Sequence, residues 1–110
     1  MRGSRKQGFV SVVSEIEVLV QPIRHGRQWE VRAIRTLFEE MNVIELDRAI
    51  ARTAAAIRAE QRLGLPDAAI VATALHTNCD AIVGNDERCA QLVQELPYVL
   101  LDDLVKEQQP

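Results

Sequence analysis

Apolar and polar positions along the chain change period several times, and each change predicts an element. Phe9-Val-Ser-Val-Val13 is a β-branched run and predicts a strand. From Ser14 the spacing turns helical, and Ser14 with Glu17 fits a capping box, a Ser at the cap and a Glu at the third helical position. Pro22 and Gly26 predict a break over residues 21–27. Val31, Ile34, Leu37, Phe38 and Met41 then recur at helical spacing, which predicts a helix over 28–41 with Glu30, Arg32, Arg35, Glu39 and Glu40 on its outer face.

The second half repeats the alternation. Residues 42–45 predict a short strand, and Asp47 a cap for an Ala-rich helix over 48–62 that Gly64 ends. Pro66 suits the first position of the next helix, where its missing N–H costs nothing, and that helix runs to about His76. Residues 80–84 predict a strand and 86–96 a helix whose inner side carries Cys89, Leu92, Val93 and Leu96. Pro97 breaks it, residues 98–101 form a last strand, and 102–110 hold a short helix and a frayed tail behind a loose N-terminus over 1–8. Strands alternating with helices predict an α/β fold with a parallel sheet flanked by helices.

In such sheets, sites form outside the carboxyl ends of the strands. Three acids belong there: Glu17 after the first strand, Asp86 after the third, and Asp67 at the start of the helix that feeds the third. Each also has a purely structural explanation. Glu17 completes the capping box, Asp67 is favoured by a helix dipole by roughly 0.3–1 kcal/mol, and Asp86 caps the helix that follows it.

Their conjunction is more specific than any one of them. A strand followed by Ser14-x-x-Glu17, then Leu65-Pro-Asp67-Ala-x-x-x-Ala-Thr-Ala74, then a strand ending Gly84-Asn-Asp86, resembles the PIN-domain family, metal-dependent nucleases that include the toxins of VapBC-type toxin–antitoxin pairs. The resemblance runs over residues 8–101 and is strongest over 63–86. It implies that Glu17, Asp67 and Asp86 match the second, third and fourth of the family's clustered acids and bind Mg²⁺ or Mn²⁺. It further implies endoribonuclease activity on RNA, a cognate antitoxin and a homodimer. Hard divalent cations prefer carboxylate oxygens and relieve the repulsion among clustered carboxylates, and they activate water for attack on phosphorus.

The chain departs from the family pattern in three places. No strand ending in the family's first Asp precedes Phe9. On the resemblance that strand is central, in the order 3-2-1-4-5, so its loss leaves two inner strands without their shared neighbour and the catalytic function impaired. Gly84 stands where the family often has Thr or Ser, and Cys89 where an aromatic is common.

Composition narrows the alternatives. A chain of 110 residues with 47% hydrophobic and 26% charged residues makes one folded domain, and aromatics at 4% leave the core to Ala, Val, Ile and Leu. The net charge of −3 lacks the basic field of a general nucleic-acid binder, so an acidic site needs metal ions to approach a phosphate. The arginines at 24, 27, 32 and 35 and at 48, 52, 58 and 62 are read first as solvated helix faces. Two cysteines, Cys79 and Cys89, make no disulfide framework and fit reduced thiols in a cytoplasmic protein, and no apolar run reaches the roughly 18 residues of a membrane span. His25 and His76 have no nucleophile or metal partner at a useful spacing. Two rivals stand beside the nuclease: an inactive remnant of the same fold that binds antitoxin as a decoy, and an α/β interaction module whose acids only cap helices.

Overall fold

The computed structural model describes residues 8–77, 81–84, 89, 93 and 97–108. Among them the order is β1 (Gly8–Ser11), α1 (Val12–Arg24), α2 (Gln28–Glu40), β2 (Asn42–Ile44), α3 (Arg48–Gln61), α4 (Leu65–His76), β3 (Ala81–Gly84), β4 (Tyr98–Leu100) and α5 (Leu101–Glu107). The four strands form one parallel sheet in the order β2-β1-β3-β4. The fold is the α/β arrangement that the sequence predicts.

The expected slot in the middle of the sheet is not there. β1 pairs directly with β3, Phe9 opposite Ile82 and Val10 opposite Val83. With no strand between them, the two complete each other's backbone hydrogen bonds, because unpaired N–H and C=O groups inside a sheet are costly. The side-chain alternation of the strands then builds two cores. Val10 and Val83 face Ile34, Leu37 and Phe38 of α2 and Leu101 and Val105 of α5. Phe9 and Ile82 face the opposite side, against Ile70, Val71 and Ala74 of α4.

α4 is buried from Ala68 to Ala74, which is why small residues dominate it. Its outer side packs on α3 through Ala68 and Ala72 against Ile50 and Ala54. Cys89 and Val93, from the helix predicted over 86–96, are both buried in the α4 core; the rest of that helix lies outside the described residues.

Several boundaries differ from the sequence prediction for identifiable reasons. The cap of α1 is Ser11, whose hydroxyl accepts from the Val13 N–H at 3.2 Å, and not Ser14. The strand stops there because its pairing with both neighbours ends at Val10 and Ser11. Ser14 is instead buried in the first turn, its hydroxyl without a hydrogen-bond partner, and Glu17 lies in the second turn outside any capping box. α1 also continues through Pro22 to Arg24, and the turn is confined to the following residues, with Gly26 at φ 67°. The bond from the Arg27 N–H to the Pro22 carbonyl, 2.9 Å, closes it.

α3 is capped by Asp47 as predicted, its carboxylate accepting from the Ile50 N–H at 2.8 Å. Its end differs: Arg62, not Gly64, adopts the left-handed conformation, φ 57°, and Gly64 becomes the cap of α4. A left-handed non-glycine residue carries a steric cost, so Arg62→Gly is expected to raise stability by roughly 1 kcal/mol in urea unfolding. An unchanged midpoint would show that the Arg62 side chain compensates.

Candidate active site

Parallel strands bring every strand end and every following helix start to one edge of the sheet. β1 delivers α1 there, and Glu17 is exposed two turns into it. β4 delivers α5 there without a loop, which puts Asp102 in the first turn of that helix. Glu17 and Asp102 line one cleft of about 390 Å³ together with Glu30 and Arg27 of the α2 start. Leu101 and Val18 supply its apolar floor. Arg27 pairs with Glu30, Nε to Oε1 at 3.1 Å, so the carboxylates of Glu17 and Asp102 are the cleft's unneutralised charges among the described residues.

Asp67 occupies the first turn of α4 and is half-buried. Gly64 caps that helix without a side-chain hydrogen bond, so the positive end of α4 is left to its first-turn acid. α1 packs on α4, and Glu17 and Asp67 therefore stand on contacting helices at the same edge, although Asp67 is not part of the cleft lining. The third acid expected here, Asp86, lies outside the described residues. Among the described residues no group of three His, Cys, Asp or Glu side chains comes together to hold a metal ion.

Asp102 and Glu30 were not singled out from the sequence. A signal for Asp102 does exist: an acid immediately after a strand that ends at the site edge. Glu30 gave none, since it reads as one more charge on a solvated helix face. Gly84, which ends β3 beside the site edge, is buried under Tyr98: a Cβ at position 84 would overlap the Tyr98 phenol oxygen. The two histidines are structural. His25 Nδ1 lies 2.9 Å from the Gln21 carbonyl at the end of α1, and His76 Nε2 lies 2.7 Å from the Thr53 hydroxyl, tying α4 to α3.

The PIN-domain family model matches residues 3–95, which spans β1 to β3 and all three predicted acids. The chain belongs to the PIN-domain family. PIN domains are nucleases as a group and generally use divalent metal ions, so the acids at this edge have a chemistry to serve. One solved structure that resembles this PIN domain is a toxin–antitoxin complex from Klebsiella pneumoniae, at a TM-score of 0.61 and 25% identity over 86% of this chain and 73% of that one. No curated protein sequence matches it. No helix among the described residues is long and apolar enough to cross a membrane.

The donor set suits a hard divalent cation. Glu17 and Asp102 of the cleft, and Asp67 beside it, offer carboxylate oxygens only, though the three do not form one group, and no thiol or imidazole lines the cleft among the described residues.

Proposed function

We propose that this PIN domain is the toxin of a VapBC-type pair, a Mg²⁺- or Mn²⁺-dependent endoribonuclease held in check by a cognate antitoxin in the cytoplasm and acting as a homodimer. The observation that carries the proposal is the placement of Glu17 and Asp67 on contacting helices at the carboxyl edge of a PIN-type sheet. The likeness to a toxin–antitoxin complex supports the antitoxin.

Glu17, Asp67 and Asp86 would hold the metal, which neutralises phosphate charge and lowers the pKa of a bound water. The residues of the chain do the rest. Glu17 presents its carboxylate from a rigid helix rather than a loop, and the α4 start fixes Asp67 within one turn of Pro66. The carboxylates at this edge repel an RNA phosphate until a cation is bound, which makes cleavage depend on metal at the binding step as well as the chemical one.

The test is cleavage of a mixed RNA substrate by the purified chain with Mn²⁺, with Mg²⁺ and with EDTA. Cleavage with either metal and none with EDTA is the expected result. Metal-independent cleavage that survives loss of Asp67 would reject the reading.

A second reading has an observation in its favour. β1 and β3 pair directly, so no described interior strand brings a further acid to the edge. An inactive PIN domain that binds antitoxin as a decoy would then give no cleavage with any metal, yet still bind the antitoxin.

A further inference from the structure

The turn after α1 folds the chain back on itself. The Arg27 N–H reaches the Pro22 carbonyl at 2.9 Å, and Gly26 allows the reversal at φ 67°. Arg27 is thereby set beside the last turns of α1, and it lines the cleft that Glu17 and Asp102 also line. It is the cleft's one cation among the described residues. α1 presents Glu17, Val18, Gln21 and Pro22 to this cleft, positions that share one helix face. Glu17 and Gln21 stand one turn apart, about 6 Å along the axis. Along α1 the cleft thus passes from a carboxylate at Glu17 to an amide at Gln21, where the turn brings in Arg27.

An exposed ion pair such as Arg27 with Glu30 contributes little stability. Its geometry matters more. Glu30 is half-buried and takes the Arg27 Nε–H at 3.1 Å, which steers the guanidinium and leaves both Nη groups without a partner among the described residues. A planar fork of N–H donors fits two oxygens of a phosphate.

We propose that Arg27 is the phosphate anchor of this cleft: with Gln21 it grips the RNA phosphate next to the one at the Glu17 end, and Glu30 positions it. The assignment rests on the proposed endoribonuclease activity for its substrate. It adds a path for the strand, along α1 from Glu17 to Gln21. In the sequence Arg27 is one more solvated charge, because its place in the cleft depends on the turn at Gly26.

The probe is uridine 3′,5′-bisphosphate, which carries a phosphate on each side of one nucleoside and has no internucleotide bond to cleave. The full chain with Mg²⁺ is titrated by NMR on the Arg27 Nε–H signal, which is assigned by its loss in Arg27→Lys. The bisphosphate is expected to move that signal, and uridine or glutarate to leave it in place. Arg27→Ala is expected to weaken bisphosphate binding about ten-fold, the scale of a lost charge-assisted contact. In RNA cleavage the same variant is expected to raise KM about ten-fold with kcat within about two-fold, as when ground-state and transition-state binding are lost together. Arg27→Lys keeps the charge without the fork and is expected to recover only part of the loss. The slope of log KM against log salt is expected to fall by about 0.7, the share of one phosphate on a single strand, which a merely structural arginine would leave unchanged. A far-UV spectrum checks that the variants fold. A signal that stays in place with the bisphosphate, or moves as far with uridine or glutarate, overturns the assignment. So do an unchanged KM and salt slope in Arg27→Ala. A chain that cleaves no RNA yet shifts the Arg27 signal with the bisphosphate keeps the anchor and loses the nuclease. A chain whose cleavage depends on Asp67 but not on Arg27 keeps the nuclease and loses the anchor.

Discussion

Asp67→Asn and Glu17→Gln are each expected to lower Mn²⁺-dependent RNA cleavage by at least on the order of 100-fold, the scale of lost metal affinity and misplaced water when one carboxylate leaves a metal site. Both substitutions keep side-chain size and remove only the charge. Glu17 is exposed and makes no capping bond, so Glu17→Gln is expected to leave the melting temperature within about 1 °C, in keeping with the small effect of surface substitutions. Asp67 also favours the α4 dipole, so Asp67→Asn is expected to cost roughly 0.3–1 kcal/mol of stability in addition. Glu39→Gln, exposed on α2 and outside the cleft, is the control and should leave cleavage within about two-fold. Stability and activity are separable here. If Glu17→Gln lowers cleavage only as far as the control does, Glu17 is not a metal ligand. Raising Mn²⁺ should recover part of the loss in both variants, because weakened metal binding responds to concentration and a misfolded chain does not.

The order of elements was legible because each depends on local pattern. The β-branched run around Val10, the helical spacing from Ile34 to Phe38, the cap at Asp47 and the small-residue helix behind Pro66 all report their own neighbourhoods. The errors fall where a local signal had two solutions and a long-range contact chose between them. Ser11 and Ser14 both suit a helix cap; pairing of β1 on both its sides ends the strand at Ser11 and so makes that residue the cap. Gly64 and Arg62 both lie near the end of α3; the left-handed turn falls on Arg62, the residue directly after the helix, while Gly64 is already extended as the cap of α4.

Val31 illustrates a different limit. Its spacing with Ile34 predicted burial, yet it lines a surface hollow with Ile23 and Arg35, and Ala33 takes the buried place. On α1, apolar residues occupy both sides, so periodicity alone could not tell which side faces water. The candidate site was half legible for the same reason. Glu17 and Asp67 carried motif signals, whereas the meeting of Glu17 with Asp102 depends on β4 lying in the same sheet, a contact between distant parts of the chain.

Gly84→Ala is expected to destabilise the fold by about 1–3 kcal/mol, the usual cost of forcing extra volume into a packed site. The sign is not obvious beforehand. Alanine in place of a strand glycine removes unfolded-state freedom, which alone would stabilise by about 0.4–1 kcal/mol. Space decides against it: a Cβ at Gly84 meets the Tyr98 phenol oxygen first and its ring carbons next, and Gly84 is buried at the edge of the site. Tyr98 lies on the adjacent strand opposite Ile82, so its ring reaches diagonally across β3 to cover Gly84. Half-buried, it can swing partly outward, which keeps the cost from being larger. The consequence bears on the PIN resemblance, which favours Thr or Ser at this position. Gly84→Thr is expected to cost more than Gly84→Ala, because Thr adds two further heavy atoms where the phenol sits. The hydroxyl of the family pattern is therefore excluded here by Tyr98, and the two positions should couple. Measured in urea, Gly84→Thr combined with Tyr98→Leu is expected to be less destabilising than the sum of the single changes by about 1–3 kcal/mol, as for residues that share one space. Additive effects would mean that the Tyr98 ring does not occupy that space in solution, and a stabilised Gly84→Ala would mean that the edge of β3 is open to the site.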